Sequence, residues 1–396
     1  MRILILSPEF PPFQIGGVGQ HVSDLSKALV NEKVETHVMT YKPINKPYKL
    51  SEYEEIKGIS VHRVSVLNLK VPNPYIGIVQ FNIHLLQKIV SFVKEVGLPD
   101  LIHAHDWNVI LAGIAASEIY NLPLVCTIHS TVKSLGGTEM IETPIGKYIT
   151  DIQQEGIRNA QKVICCSYAM AQELNELFHI MRGKIEIIPN GIHIEEFTNI
   201  SKNVISDLYS RLTEEGQKKV ILFVGRLDSV KGVDIIIKAI KLLNIPSIRL
   251  VIAGDGPLKK VYVNLAKGSD IIFLGFQKRY ELLKLYKCAS LVVMPSTYES
   301  FGIVALESMA AKVPLIASSV GGLAEIIQDG YNGILVPPND IHKLAEAISI
   351  VLNNIELRQK LIYNGFNTVI NKYNWLNIAS RTIEVYKKVL SSINRK

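Results

Sequence analysis

The sequence predicts an α/β protein built from two Rossmann-like domains, each a doubly wound parallel sheet. Three observations carry that expectation. Short apolar runs alternate with amphipathic stretches through the first half, the alternation restarts near residue 219, and 396 residues are too many for one ordinary core. Ligands of such sheets bind beyond the carboxyl ends of the strands. The two domains are therefore expected to face a cleft between them.

"RILILS" (2–7) is a continuous β-rich run, the pattern of a strand buried on both faces. "GQHVSDLSKALV" (19–30) reads as a helix with Val22, Leu25, Ala28 and Leu29 on one face. "ETHVMTY" follows as a strand. "LIHAHD" (101–106), "PLVCTIH" (123–129) and "KVICCS" (162–167) each read as a strand leading into a helical stretch. The second series runs through "KVILFVGRL" (219–227), "GVDIIIKAIKLL" (232–243), "IRLVIAGDGP" (248–257), "IIFLGF" (271–276), "LVVMPS" (291–296) and "PLIASS" (314–319). A join in the polar stretch 191–218 gives domains at 1–190 and 191–374. A last helix over 375–393 is expected to carry the tail, 375–396, back onto the first.

Composition excludes several classes. At 48% hydrophobic and 20% charged residues the chain is globular. "MRILILSPEF" has too short an apolar run for a signal peptide, and no stretch is expected to be long and apolar enough to span a membrane. Cys126, Cys165, Cys166 and Cys288 form no Cys-x-x-Cys and read as free buried thiols in a reducing cytoplasm. Residues 1–190 carry 17 Lys and Arg against 18 Asp and Glu; residues 191–396 carry the remaining 26 against 18. The basic second half suits an anionic ligand, and nothing marks a nucleic-acid binder.

The candidate site residues cluster at strand-to-helix loops. In "PPFQIGGVGQHV" (11–22), Gly16, Gly17 and Gly19 let backbone approach a ligand ahead of a helix N-terminus. The first glycine lies too far after the strand for a dinucleotide fingerprint. "GRLDSVKG" (225–232) places Arg226 and Lys231 where two cations clamp a diphosphate. His129 ends "PLVCTIH". His103 and His105 alternate on one side of a strand, but no third metal ligand has a recognisable spacing and no Asp-x-Asp occurs, so no metal site is expected. "STYESFGIVALESMA" (296–310) sets Glu299 just before a helix and Glu307 in its second turn, so the two carboxylates are expected to hold separated parts of one ligand. The amides of Ser300, Phe301, Gly302 and Ile303 lie at that helix N-terminus.

These motifs, with "HAHDW", "TIHST", "VICCSYAM", "IPNGI" and "GGLAEIIQDGYNGILVPP", occur in the order of the retaining GT-B glycosyltransferases of family four. The chain resembles that family over nearly its whole length, and its glycogen-synthase-type glucosyltransferases most. The resemblance implies a first domain facing the acceptor and a second binding a nucleotide-sugar such as UDP-glucose or ADP-glucose, with no further cofactor. Glu307 would hold the donor ribose. Glu299 and the Ser300–Ile303 backbone would meet the transferred sugar. Arg226 and Lys231 would hold the diphosphate, His129 would contact the sugar, and Gly17 and Gly19 would approach phosphate or acceptor. It implies a metal-independent hexosyl transfer to an α-glucan or small sugar. The alternatives are a lipid-linked acceptor, with peripheral membrane contact through residues 75–95, and a nucleotide-sugar epimerase. Two departures bear on this: "PNGIH" has His193 where the family has aspartate, and "STVKSLGG" (130–137) lacks the acidic and arginine pattern of glucan synthases.

Overall fold

β1 (Arg2–Ser7) lies at the middle of the first sheet, and its residues alternate between two apolar clusters. Leu4 and Leu6 join one cluster, Ile3 and Ile5 the other. Burial on both faces is why the run has no polar alternation. The computed structural model describes residues 1–13, 16–43, 50–66, 74–198, 200 and 202–393. Gln14 and Ile15 of the glycine-rich stretch, and residues 199 and 201 of the expected join, lie outside the described residues.

The sheet continues with β2 (Glu35–Lys42), β3 (Tyr53–Ile56), β4 (Ile59–Ser65), β5 (Leu101–His105), β6 (Leu124–Ile128), β7 (Lys162–Cys165) and β8 (Ile185–Ile187). Their order is β3-β4-β2-β1-β5-β6-β7-β8. Only β3 is antiparallel, joined to β4 through Lys57 and Gly58, both at positive φ, the geometry of a tight hairpin. The helix after β1 spans Gly17–Asn31, so it starts two residues earlier than the periodicity predicts. Gly17 and Gly19 therefore lie in its first turn and not in a loop.

The Pro74–Glu95 helix corrects one expectation. Its segment Ile76–Glu95 is long and apolar enough to cross a membrane by length and composition alone. Asn82, His84, Gln87 and Lys88 sit among aliphatic residues, so they break up the apolar run without making the segment polar. Phe81, Leu85, Ile89 and Phe92 are buried in the first core. Ile76, Val79 and Ile83 are exposed.

The second sheet contains β9 (Lys219–Val224), β10 (Ile248–Ala253), β11 (Ile271–Gly275), β12 (Leu291–Met294), β13 (Leu315–Ser318) and β14 (Ile334–Val336). It is parallel throughout, in the order β11-β10-β9-β12-β13-β14. Its core includes Ile221, Phe223, Leu250 and Ile252 packed with Val233, Ile236, Ile237 and Ile240 of the Val233–Leu243 helix.

By contacts the chain divides into one unit of Met1–Val132, Thr138–Gly191 and Trp375–Lys396, and a second of Lys133–Gly137 and Ile192–Asn374. The Trp375–Ile393 helix brings Trp375, Ile378, Ala379, Tyr386 and Val389 into the cluster that contains Ile3 and Ile5. In each sheet the strand order reverses beside the unit's first strand, at β1/β5 and at β9/β12. Those are the switch points where loops diverge and leave a crevice.

Candidate active site

In the second unit the loop leaving β9 carries Arg226 and Lys231. Gly232 ends it at φ 65, and a Cβ there would lie 2.0 Å from the Pro295 carbonyl oxygen. Only glycine lets this loop close on the segment after β12. Thr297 N donates to the Val230 carbonyl at 2.8 Å and ties the two loops together. Lys231 Nζ then donates to Glu299 Oε2 at 2.7 Å, both side chains largely shielded from solvent. Arg226 is half exposed and pairs through Nε with Asp228, whose Oδ1 accepts from Val230 N at 3.2 Å. Two cations are thus held just beyond a parallel strand, each on a carboxylate, Arg226 on Asp228 and Lys231 on Glu299.

The Ile303–Ala310 helix begins after Gly302, which sits at φ 110. Gly322 N donates to the Glu299 carbonyl at 3.0 Å, and a Cβ on Gly321 would meet that same oxygen at 2.0 Å. This contact fixes the backbone from Glu299 to the helix. Ser300 is half-buried, and Phe301 is buried with its ring edge-on to Tyr373. Gly302 and Ile303 contribute amides at the helix start, where early N–H groups have no helical partner.

Glu307 is buried in a different cluster. Its Oε1 takes the Arg279 guanidinium and its Oε2 accepts from Tyr286 Oη at 2.7 Å. Arg279 also pairs with Glu196 at 2.9 Å and lies 5.0 Å from the Phe197 ring centroid. Burial works against the arginine's charge, but Glu307 and Glu196 outweigh it and raise its pKa. Burial, then the Glu307 charge, push the Tyr286 phenol well above its ordinary range. Glu299 is held by Lys231 and Glu307 by Arg279 and Tyr286, so the eight-residue spacing reflects two clusters, one at the helix entrance and one on its buried face.

In the first unit the carboxyl ends of β1, β5 and β6 bring histidines together. His21 comes from the first helix, one turn beyond Gly17. His105 ends β5, and His129 follows β6. His105 Nδ1 and His129 Nε2 are 3.1 Å apart, and the His21 ring meets His129 edge-on with centroids 4.6 Å apart. His21 Nδ1 is 2.7 Å from Asn190 Oδ1, and the Trp375 ring packs on its other side. Burial lowers all of these imidazole pKa values, that of His21 to about 4. Asp106 is strained at φ 66 and accepts from His129 N at 3.2 Å. Burial pushes its carboxyl up to about 7, against the pull of the His129 and Ser130 amides. His103 points to the same side as His105, ring centroids 4.1 Å apart. It is held between Thr127 Oγ1 at 2.6 Å and Tyr386 Oη at 2.7 Å.

The structure therefore brings Lys231 to Glu299, and sets Glu307 and His129 each in a cluster of its own. Arg279, Tyr286, Glu196, His21, Asp106 and Asn190 escaped the sequence reading. Of these Asn190, in "IPNGI", Asp106, in "HAHDW", and His21, in "PPFQIGGVGQHV", lie in motifs singled out above.

Two doubly wound α/β units, each with charged or histidine clusters at the carboxyl ends of its parallel strands, fit the GT-B fold of glycosyltransferases. Comparison with known proteins agrees. Residues 15–196 match the description "Glycosyltransferase Family 4" and residues 207–368 "Glycosyl transferases group 1". An uncharacterized glycosyltransferase of Methanocaldococcus jannaschii is 35% identical over 100% of both chains. The glycogen synthase of Mycobacterium tuberculosis is 30% identical over 98% of this chain and 94% of its own. Among solved structures, sucrose-phosphate synthase from Thermosynechococcus elongatus superposes with a TM-score of 0.83 at 24% identity, covering 99% of each chain. Anabaena HepE in complex with UDP and glucose gives 0.78 at 22%, covering 98% of this chain and 100% of its own. The chain belongs to the family-four GT-B glycosyltransferases, with glycogen-synthase-like sequence.

Proposed function

We propose that the protein is a retaining glucosyltransferase that moves glucose from a nucleoside diphosphate sugar to an α-glucan or a small sugar acceptor. The Lys231–Glu299 ion pair carries this reading. A diphosphate arriving beside Arg226 draws Lys231 off Glu299 and frees that carboxylate for sugar hydroxyls. The bond from the anomeric carbon to the diphosphate oxygen breaks, and the acceptor oxygen bonds on the same face. The acceptor's proton passes to the departing phosphate. Arg226, Lys231 and the amides at Gly302 and Ile303 stabilise the leaving charge, a role that needs no divalent metal. By the family resemblance, His129 contacts the transferred sugar, and Gly17 and Gly19 approach phosphate or acceptor. Glu307 receives the ribose hydroxyls, while Arg279 and Tyr286 orient its oxygens. The names glycogen synthase and alpha-maltose-1-phosphate synthase among full-length relatives support glucose as the sugar.

The test offers UDP-, ADP- and GDP-sugars with glycogen, maltooligosaccharides, glucose 1-phosphate or lipid vesicles, with and without chelator. Nucleoside diphosphate released from a glucose donor only with glucan or sugar acceptor, and an α-linked product by NMR, is the expected result. Release only with lipid supports a second reading favoured by exposed Ile76, Val79 and Ile83. A changed sugar on recovered nucleotide, with no transfer, identifies an epimerase.

A further inference from the structure

We infer that His21, His105 and His129 form a binding site for a divalent transition-metal ion such as Zn²⁺. One ring nitrogen from each lies within 4.8 Å of the other two. The three rings form a closed triangle, with centroid separations of 4.6, 5.3 and 5.4 Å. Bonds of about 2.0–2.1 Å from a tetrahedral Zn²⁺ put its nitrogens roughly 3.3 Å apart. His105 Nδ1 and His129 Nε2 lie 3.1 Å apart in hydrogen-bond contact, so these two rings are already close enough for one ion to reach both. Small side-chain rotations bring in the third.

Two further observations separate this cluster from ordinary buried histidines. His105 is fully buried, and its Nε2 has no hydrogen-bond partner. Its neighbour His103, equally buried, has both nitrogens engaged and is structural. Asn190 Oδ1 accepts the His21 Nδ1 proton, which leaves the Nε2 lone pair outward, the orientation given to a metal-bound histidine by its outer partner. Three imidazoles leave one position open for water or substrate. Softer and intermediate ions are favoured by this nitrogen set over Mg²⁺ or Ca²⁺.

One consequence rests on the proposed function. His129 cannot serve an ion and the transferred sugar together, so the metal inhibits transfer and competes with the donor.

Metal-stripped full-length protein is titrated with Co²⁺ and followed by visible absorption, with Zn²⁺ displacement giving affinity. The expected result is one ion per chain, intense tetrahedral cobalt bands, and at least a tenfold affinity loss in His21→Gln, His105→Gln and Asn190→Ala. His179→Gln, an exposed histidine outside the cluster, binds as wild type. X-ray absorption of zinc-loaded wild type, which needs no variant to fold, shows three imidazole ligands. Fewer than three imidazoles, no stoichiometric binding, or wild-type affinity in both His21→Gln and His105→Gln overturns the site. Binding with three imidazoles but no competition with the donor upholds the site and removes His129 from the sugar.

Discussion

Lys231 and Glu299 sit 2.7 Å apart and partly shielded, so their attraction adds little net stability, about 1 kcal/mol or less. Their value lies in what each does once separated. Lys231→Ala and Glu299→Ala should each slow transfer about 10²-fold or more, the scale of losing a preorganised charge partner, with melting midpoints little changed. Wild-type rates in either variant, with an intact melt, remove the pair from catalysis. Arg279 behaves oppositely. Its loss strands buried Glu307 and frees Tyr286 from a shared network. Arg279→Ala should therefore cost roughly 1–3 kcal/mol in urea unfolding, and Arg279→Lys less, because a cation remains. Equal stability of the two variants contradicts the buried-charge account. His62 provides a pH handle away from both sites. Burial first, then His37 and Lys88, push it down to about 4, and Tyr53 and Phe92 complete its surroundings. The unfolded chain takes up that proton near pH 6.5, so stability falls as pH drops from 6.5 toward 4. Between pH 7 and 5 the share of the loss from His62 is about 1–2 kcal/mol, discounted for solvent screening, and His62→Phe should remove that share while the buried His21, His105 and His129 keep theirs. An unchanged pH slope in that variant excludes His62 as the source.

Loops between elements decide where these side chains point. Gly232→Ala should destabilise the second unit by about 2 kcal/mol or more, since it combines a left-handed backbone with a 2.0 Å approach to Pro295. It should also lower transfer by displacing Lys231. A variant that melts and turns over like wild type means the loop relaxes freely. The parallel strands at the sheet centres were legible because burial on both faces leaves long apolar runs. β3, "YEEI", was not, being a polar edge strand paired on one side to β4. β8 was missed because three residues carry no period. The same logic divides the sites. Lys231 and Glu299 flank glycine turns that the sequence displays. Arg279 and Tyr286 reach Glu307 from one helix, Arg279–Cys288, whose pattern reads as an ordinary amphipathic segment. His21 meets His105 and His129 only because the helix after β1 and the ends of β5 and β6 lie at the same end of neighbouring strands. Local spacing cannot encode that meeting, which is why no third ligand was expected.

Across the whole molecule the chain closes on itself through the Trp375–Ile393 helix, which belongs to the first unit although it follows the second in sequence. Trp375, Ile378, Ala379, Val385, Tyr386 and Val389 all sit in the cluster around Ile3 and Ile5. Each large apolar side chain among them contributes about 1.5–3 kcal/mol by burial. Together they rival the roughly 5–15 kcal/mol by which a domain is stable at all. Removal also strips the Tyr386 hydroxyl from His103 Nδ1 and the Trp375 ring from His21. Ending the chain at Asn374 should therefore abolish cooperative folding of the first unit, while the core built on Ile221, Phe223 and Leu250 keeps its own transition. Urea titration of the shortened chain separates the outcomes: one surviving transition is expected, with tryptic cleavage confined to residues before Gly191. Tyr386→Phe, which loses only the hydroxyl, should retain both transitions and cost about 1 kcal/mol in the first. A truncated chain with an undiminished first transition shows that the returning helix covers a core already sufficient without it.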